Sequence, residues 1–216
     1  MPVRTPSNRY GENVVGKFPS LKLGRMVFFE SRIERDQIYL MEYDPEVVFY
    51  EEQPLLIEYI AAGKRYKYFP DFKVITSSGQ HLLLECKADN FVGTDKNQRK
   101  IAAGKAWCAT RNWEFRLITE QETRSGFRLK NVMFLWQFAR HSIPLNTKAR
   151  IYAVMNNHHA LTLDELAMRV NPAKPQVAKI PILHLICHHQ LVTPINEARI
   201  SGNSPLYLPG HKEIVQ

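Results

Sequence analysis

Two hydrophobic periods alternate along the chain and cut it into segments. From Ser31 to Tyr43 the apolar residues Ile33, Ile38, Leu40 and Met41 outline a helical face. Ser31, with Glu34 three positions later, has the spacing of a capping box. The helix is expected to stop near Tyr43, because Pro45 disfavours helical geometry at Asp44. The period then shortens. VVFYEE (47–52), LLIEYI (55–60), RYKYFPDFKVI (65–75) and HLLLECK (81–87) are rich in β-branched and aromatic residues. Gln53-Pro54, Ala62-Gly63 and Ser77-Ser78-Gly79 separate them and suit turns. This predicts a four-strand meander. A helix over 95–110 and a strand EFRLIT (114–119) complete the order α, β, β, β, β, α, β, that of an α/β chain with a mixed sheet flanked by helices.

The last third reads differently. After the apolar helix NVMFLWQFAR (131–140), Pro144 and polar residues mark a boundary. A helix TKARIYAVMNN (147–157), a second capping-box pair at Thr162 and Glu165, a break at Asn171-Pro172 and a third helix from Pro175 to about His189 follow. QLVTPI and PLYLP read as two short strands. Three helices closed by a hairpin predict a small winged-helix domain, with Pro181 inside the third helix as the discordant residue. The expected organisation is a basic, loosely ordered arm (1–25, with Arg4, Arg9, Lys17, Lys22 and Arg25), a core domain (26–143) and a winged helix (144–216).

Composition changes this picture little, and charge changes it more. At 216 residues, 44% hydrophobic and 23% charged, the chain can bury a core, and disorder is expected only at its ends. A formal charge of +8 gives a field that attracts polyanions, with nucleic acid the expected partner. No apolar run reaches the ~20 residues of a membrane-spanning helix, and the first residues lack an apolar signal core. Three cysteines, Cys86, Cys108 and Cys187, without a Cys-x-x-Cys pair, suggest neither disulfides nor structural zinc and fit a reducing cytosol.

The candidate chemistry sits at Pro70-Asp71 and, fourteen positions on, Glu85-Cys86-Lys87. Strand alternation sets Glu85 and Lys87 on one face, and Asp71 on a neighbouring strand can lie opposite them. Two carboxylates there can hold Mg²⁺, with the Cys86 carbonyl as a further oxygen ligand. The cation would activate water and offset charge on a phosphate, and Lys87 could position that water. Chance produces such a pattern often enough that its placement must carry the argument. Glu85 and Lys87 end the apolar run Leu82-Leu83-Leu84, where two charges without a function would be costly. A surface ion pair on an edge strand is the bland alternative. Lys96, Arg99 and Lys100 share one helical face beyond the strand and suit phosphate contacts or a solvated surface. His158-His159 and Cys187-His188-His189 match no zinc spacing and read as helix-end residues. Trp107, Trp113 and Trp136 read as core aromatics.

At these residues the chain resembles the PD-(D/E)xK nuclease superfamily, a restriction-endonuclease-like fold in which a Glu on the first helix often joins the site. Glu34 is the candidate for that role, ahead of Glu30; its alternative use is to cap the helix by accepting the Ser31 amide. The run Glu34 to Leu40, then Tyr50-Glu51-Glu52-Gln53-Pro54-Leu55, Tyr68-Phe69-Pro70-Asp71-Phe72 and Leu84-Glu85-Cys86-Lys87, is similar to the TnsA family, endonuclease subunits of heteromeric transposases. The resemblance covers most of residues 25 to 210. It implies a Mg²⁺-dependent enzyme, with Mn²⁺ as a substitute, that cuts the 5′ ends of a transposon within the bacterial cytoplasm. It implies as partners transposon-end DNA, a DDE-type transposase, TnsB, and an AAA+ regulator, TnsC, which contacts the carboxy-terminal part. It also implies Glu34, Asp71 and Glu85 as metal-site residues and Lys87 as the catalytic lysine. Glu85 stands where a Gln can stand in the family, which returns the site to the general superfamily form. A stand-alone restriction-type nuclease or junction resolvase, and an adaptor that has lost chemistry, are the competing readings.

Overall fold

The computed structural model describes residues 14–210, which divide into two units between Ser125 and Gly126. The division falls earlier than the boundary at 143/144 expected from the sequence. The reason is the helix after Phe127, which packs with the carboxy-terminal residues.

The first unit opens with a hairpin, β1 (Gly16–Pro19) and β2 (Met26–Phe29), in the antiparallel register Gly16 to Phe29. This corrects the expectation of a loose arm for residues 14–25; Arg4 and Arg9 lie outside the described residues. Two buried carboxylates pin the hairpin. Glu42, on α1 (Arg32–Tyr43), accepts from the Ser20 hydroxyl, the Leu21 amide (3.1 Å) and the Lys22 amide (3.2 Å). Glu52, on β3 (Val47–Glu52), receives two 2.7 Å bonds from the Arg25 guanidinium. At the start of α1 the Ser31 hydroxyl accepts from the Glu34 amide at 3.1 Å. The Glu34 carboxylate, however, accepts from Glu30 N–H at 2.8 Å and not from Ser31 N–H, so the expected reciprocal bond lands one residue earlier.

The expected meander is replaced by a sheet of order β3-β6-β7-β8 and a separate hairpin. RYKYFPDFKVI is two strands: β5 (Lys64–Tyr68) pairs with β4 (Ile57–Ala61), and β6 (Phe72–Thr76) pairs with β3. Pro70 has no N–H to give a ladder, so the chain breaks there and re-enters the sheet at Phe72. The ends of the excursion are tied, because Gln53 N–H donates to the Asp71 carbonyl at 2.9 Å. β6 pairs antiparallel with β7 (His81–Lys87). After α2 (Asp89–Val92) and α3 (Asp95–Ala109), β8 (Glu114–Thr119) returns parallel to β7 and leads into α4 (Glu120–Arg124). α3 is the crossover that a parallel pair requires. Its side of the sheet buries Ile57, Tyr68, Leu83 and Cys108, with Ala103, Phe115, Trp107 and Trp113 packed against them from the rim. Gly104 permits this approach, since a Cβ there would come within 2.4 Å of the Phe115 ring.

The second unit contains α5 (Arg128–Trp136), α6 (Leu145–Met155), β9 (Leu161–Thr162), α7 (Leu163–Val170), α8 (Pro175–Cys187) and β10 (Pro205–Leu206). Thr162 and Glu165 form the capping box in both directions. α8 runs through Pro181; the bond lost there would end on the carbonyl of Val177, an exposed residue, where water can take it. Of the two strands expected after α8, PLYLP supplies β10, paired with β9. QLVTPI contributes a single bridge, Val192 to Tyr207. Buried Asn131 fixes the loop between them: its amide donates to the carbonyls of Ile195 and Ala198, both at 2.7 Å, and accepts from Ile200 N–H at 3.0 Å. His184 and His188, on α8, bond the carbonyls of Phe138 and Ala139, both at 2.9 Å. No helix among the described residues is long and apolar enough to cross a membrane.

Candidate active site

The turn at Pro70 places Asp71 one residue outside β6, at the edge of the ladder and not within a strand as the sequence suggested. It stays in register: Asp71 N–H donates to the Leu84 carbonyl at 3.1 Å, and its Oδ2 accepts from Cys86 N–H at 2.6 Å. Asp71 is therefore held against Glu85-Cys86-Lys87 by backbone, which fixes its carboxylate more firmly than a side-chain contact would. Glu85 and Lys87 share a face, as alternation requires, and the Lys87 ammonium lies 2.9 Å from Glu85 Oε1. Glu85 is 1% exposed. Cys86 points into the opposite, buried layer, where burial holds its thiol well above the usual range.

The second Glu85 oxygen was not legible in the sequence. Tyr68, at the end of β5, donates its hydroxyl to Glu85 Oε2 at 2.7 Å. Its position three residues before Asp71 was a signal, but nothing in the pattern said that the excursion would fold its last tyrosine back onto β7. Both oxygens of Glu85 are thus engaged, one by an ammonium and one by a phenol.

Charge at the site is unbalanced. Burial raises the Asp71 pKa well above the ordinary carboxylate value, and the nearby charges of Glu85 and Glu34 raise it further, against Lys87 and the Cys86 amide. Burial also raises Glu34, although the Glu30 amide and the Ser31 hydroxyl oppose it. At Lys87 burial opposes the charge, but Asp71, Glu85 and Glu34 together outweigh it and strengthen its hold on the proton. Glu34, at the start of α1, is felt at Asp71 as a charge. Its charge also acts on Cys86 and Lys87, and among the described residues no three His, Cys, Asp or Glu side chains form a group able to hold a metal ion. The fit to a divalent cation rests on a smaller set, Asp71 and Glu85. Their mutual repulsion is what a hard cation with oxygen ligands would relieve.

Of Lys96, Arg99 and Lys100 on α3, Lys100 is half-buried with its ammonium 5.5 Å from the Tyr68 ring centroid, and it feels the charges of Glu85 and Asp71. Burial lowers its pKa. Arg99 lies over Tyr66 at 5.5 Å, and Lys96 is exposed. Gln53 adds strain beside Asp71: it is 6% exposed, its φ is 42°, and its side-chain oxygen is without a hydrogen-bond partner.

Residues 44–120 match a family described as TnsA-like endonuclease N terminal. That span runs from the end of α1 to the start of α4 and contains Asp71, Glu85 and Lys87; Glu34 lies before it. No curated protein matches the chain.

Proposed function

We propose, from the match of residues 44–120 to the family described as TnsA-like endonuclease N terminal, that the chain is a Mg²⁺-dependent DNA endonuclease subunit of a TnsA/TnsB-type transposase. It cleaves the 5′ ends of the transposon, beside a DDE-type transposase and an AAA+ regulator. The observation that carries this reading is the Asp71 carboxylate held by the Cys86 amide next to the Glu85–Lys87 pair, within the matched residues.

Asp71 and Glu85 would hold the cation, with the Cys86 carbonyl as a further oxygen ligand and Glu34 as the remaining acidic residue of the site. Bound there, the cation would activate water and offset charge on the scissile phosphate. Lys87 keeps its proton in this field and stabilises negative charge on the phosphate as a fixed ammonium. Lys96, Arg99 and Lys100 hold flanking phosphates. The test is nicking of transposon-end duplexes in Mg²⁺ with the partner subunits present. Asp71→Ala and Lys87→Ala are expected to lose at least a hundredfold in rate, on the scale of removing one charge-stabilising group; undiminished cutting by either sinks the reading.

We read the second unit as a winged helix, in which α7 and α8 form the helix-turn-helix and β9, β10 and the Val192–Tyr207 bridge form the wing. Its proposed contacts are to protein, supported by the sparse charge of α8: Lys174 at its start, and Lys179, which pairs with Asp164. Lys174→Glu with Lys179→Glu should leave duplex affinity within about twofold of the parent; a large loss would move DNA onto this helix.

A further inference from the structure

The β4–β5 hairpin is built as more than a connection. The sheet does not need it, since β3 pairs directly with β6 and Gln53 bonds Asp71 across its base. The hairpin turns in two residues, Ala62 and Gly63, at φ 48° and 72°, the signs of a tight turn that matches strand twist. Its register divides it into two faces. Ile57 opposite Tyr68 and Tyr59 opposite Tyr66 belong to the face on α3, where Tyr59 and Tyr66 stack at 5.4 Å and Arg99 lies over Tyr66. Glu58 opposite Lys67 and Ile60 opposite Arg65 form the other.

That outer face and tip carry Lys64, Arg65 and Lys67 against one carboxylate, Glu58, which reaches Lys67 at 3.6 Å in full solvent. Ile60, across from Arg65, is 71% exposed. The root of β5, the strand that carries Lys64, Arg65 and Lys67, is Tyr68, which holds Glu85. By register Lys64 at the tip shares the α3 side with Tyr66 and Tyr68, over which Arg99 and Lys100 lie, so positive charge leads along that side towards the carboxylates of the site, while Arg65 and Lys67 line the other side.

We propose that this hairpin is a DNA-gripping finger, a two-stranded ribbon that lies in a groove of the duplex beside the scissile phosphate. Lys64, Arg65 and Lys67 neutralise backbone phosphates, and Ile60 makes the apolar contact at the tip. The choice of duplex DNA as occupant rests on the nuclease reading; the charge pattern and the continuity with the site support it independently.

The experiment measures affinity of the full-length protein for a fluorescent duplex over a salt series, in the absence of divalent cation. Lys64→Ala/Arg65→Ala/Lys67→Ala should lose about tenfold or more in affinity near 0.1 M salt and flatten the salt slope by roughly one unit per cation that contacts a phosphate. A control triple of exposed cations elsewhere, Lys105→Ala/Arg111→Ala/Arg116→Ala, should change both much less. Equal loss in the control reduces the effect to net charge and overturns the proposal. Unchanged affinity in the hairpin variant, or no measurable binding by the parent, also overturns it and leaves the finger to an acidic protein surface. Asp71→Ala separates the two readings: it should bind like the parent while failing to nick, so a hairpin variant that binds normally beside an inert Asp71→Ala defeats the finger alone.

Discussion

Tyr68 shows how much one side chain outside the recognised motif can matter. Its hydroxyl occupies Glu85 Oε2 while Lys87 occupies Oε1, so a buried carboxylate has both oxygens satisfied. Tyr68→Phe removes one partner and leaves a buried acceptor exposed to no water, which costs about 1–3 kcal/mol. Denaturant unfolding of the cation-free protein should show that loss; an unchanged midpoint would mean that water replaces the phenol. Asp71 was legible at this scale as a residue type and Tyr68 was not. The Pro-Asp and Glu-x-Lys pattern is local, whereas the Tyr68 bond depends on how the chain returns from an excursion. Glu34 sits between these cases. Its helix and its Ser31 cap were readable, but its carboxylate turns to the Glu30 amide, a choice among neighbours that spacing does not decide.

Among the elements, α3 and β8 make the clearest case of packing overriding propensity. Alanine in place of a helical glycine ordinarily adds up to ~1 kcal/mol of stability. Gly104→Ala should instead lower the melting temperature, at a cost of about 1–3 kcal/mol, because the new methyl meets the Phe115 ring. A rise in melting temperature would show that the ring can move aside. In the second unit, Asn131→Ala removes three bonds to the loop 195–200 and should cost about 2–4 kcal/mol by the same measurement. The strands VVFYEE, HLLLECK and EFRLIT were readable to their ends, because β-branched and aromatic runs bounded by turns leave little choice. Their pairing was not. Strand composition is silent on partners, and one proline converted a meander into a ladder with a detached hairpin.

For the whole molecule, the unbalanced carboxylates tie stability to pH and to cations. A carboxylate whose folded pKa is raised keeps its proton longer in the folded state than in the unfolded one. Its contribution is therefore full below the ordinary range near ~4 and is lost as pH rises through the raised value. Asp71 and Glu34 both shift in this direction, chiefly through burial. The gap in melting temperature between Asp71→Asn and the parent should accordingly widen in favour of the variant from pH 4 to pH 8 without divalent cation. Millimolar Mg²⁺ should then raise the parent more than the variant. A constant gap, or one that narrows, would mean that the site carries no stored repulsion.

The single bond from Gln53 to Asp71 has a consequence for how this protein could be altered. Because the chain leaves and rejoins the ladder at one fixed point, the segment between them is a cassette, exchangeable in length and composition while the register of Phe72 on Leu84 stays the same. Loop closure grows slowly with length, so longer inserts cost little. Two positions are not free to vary: Ile57, buried on the α3 side, and the tyrosine that closes the cassette and holds the Glu85 carboxylate.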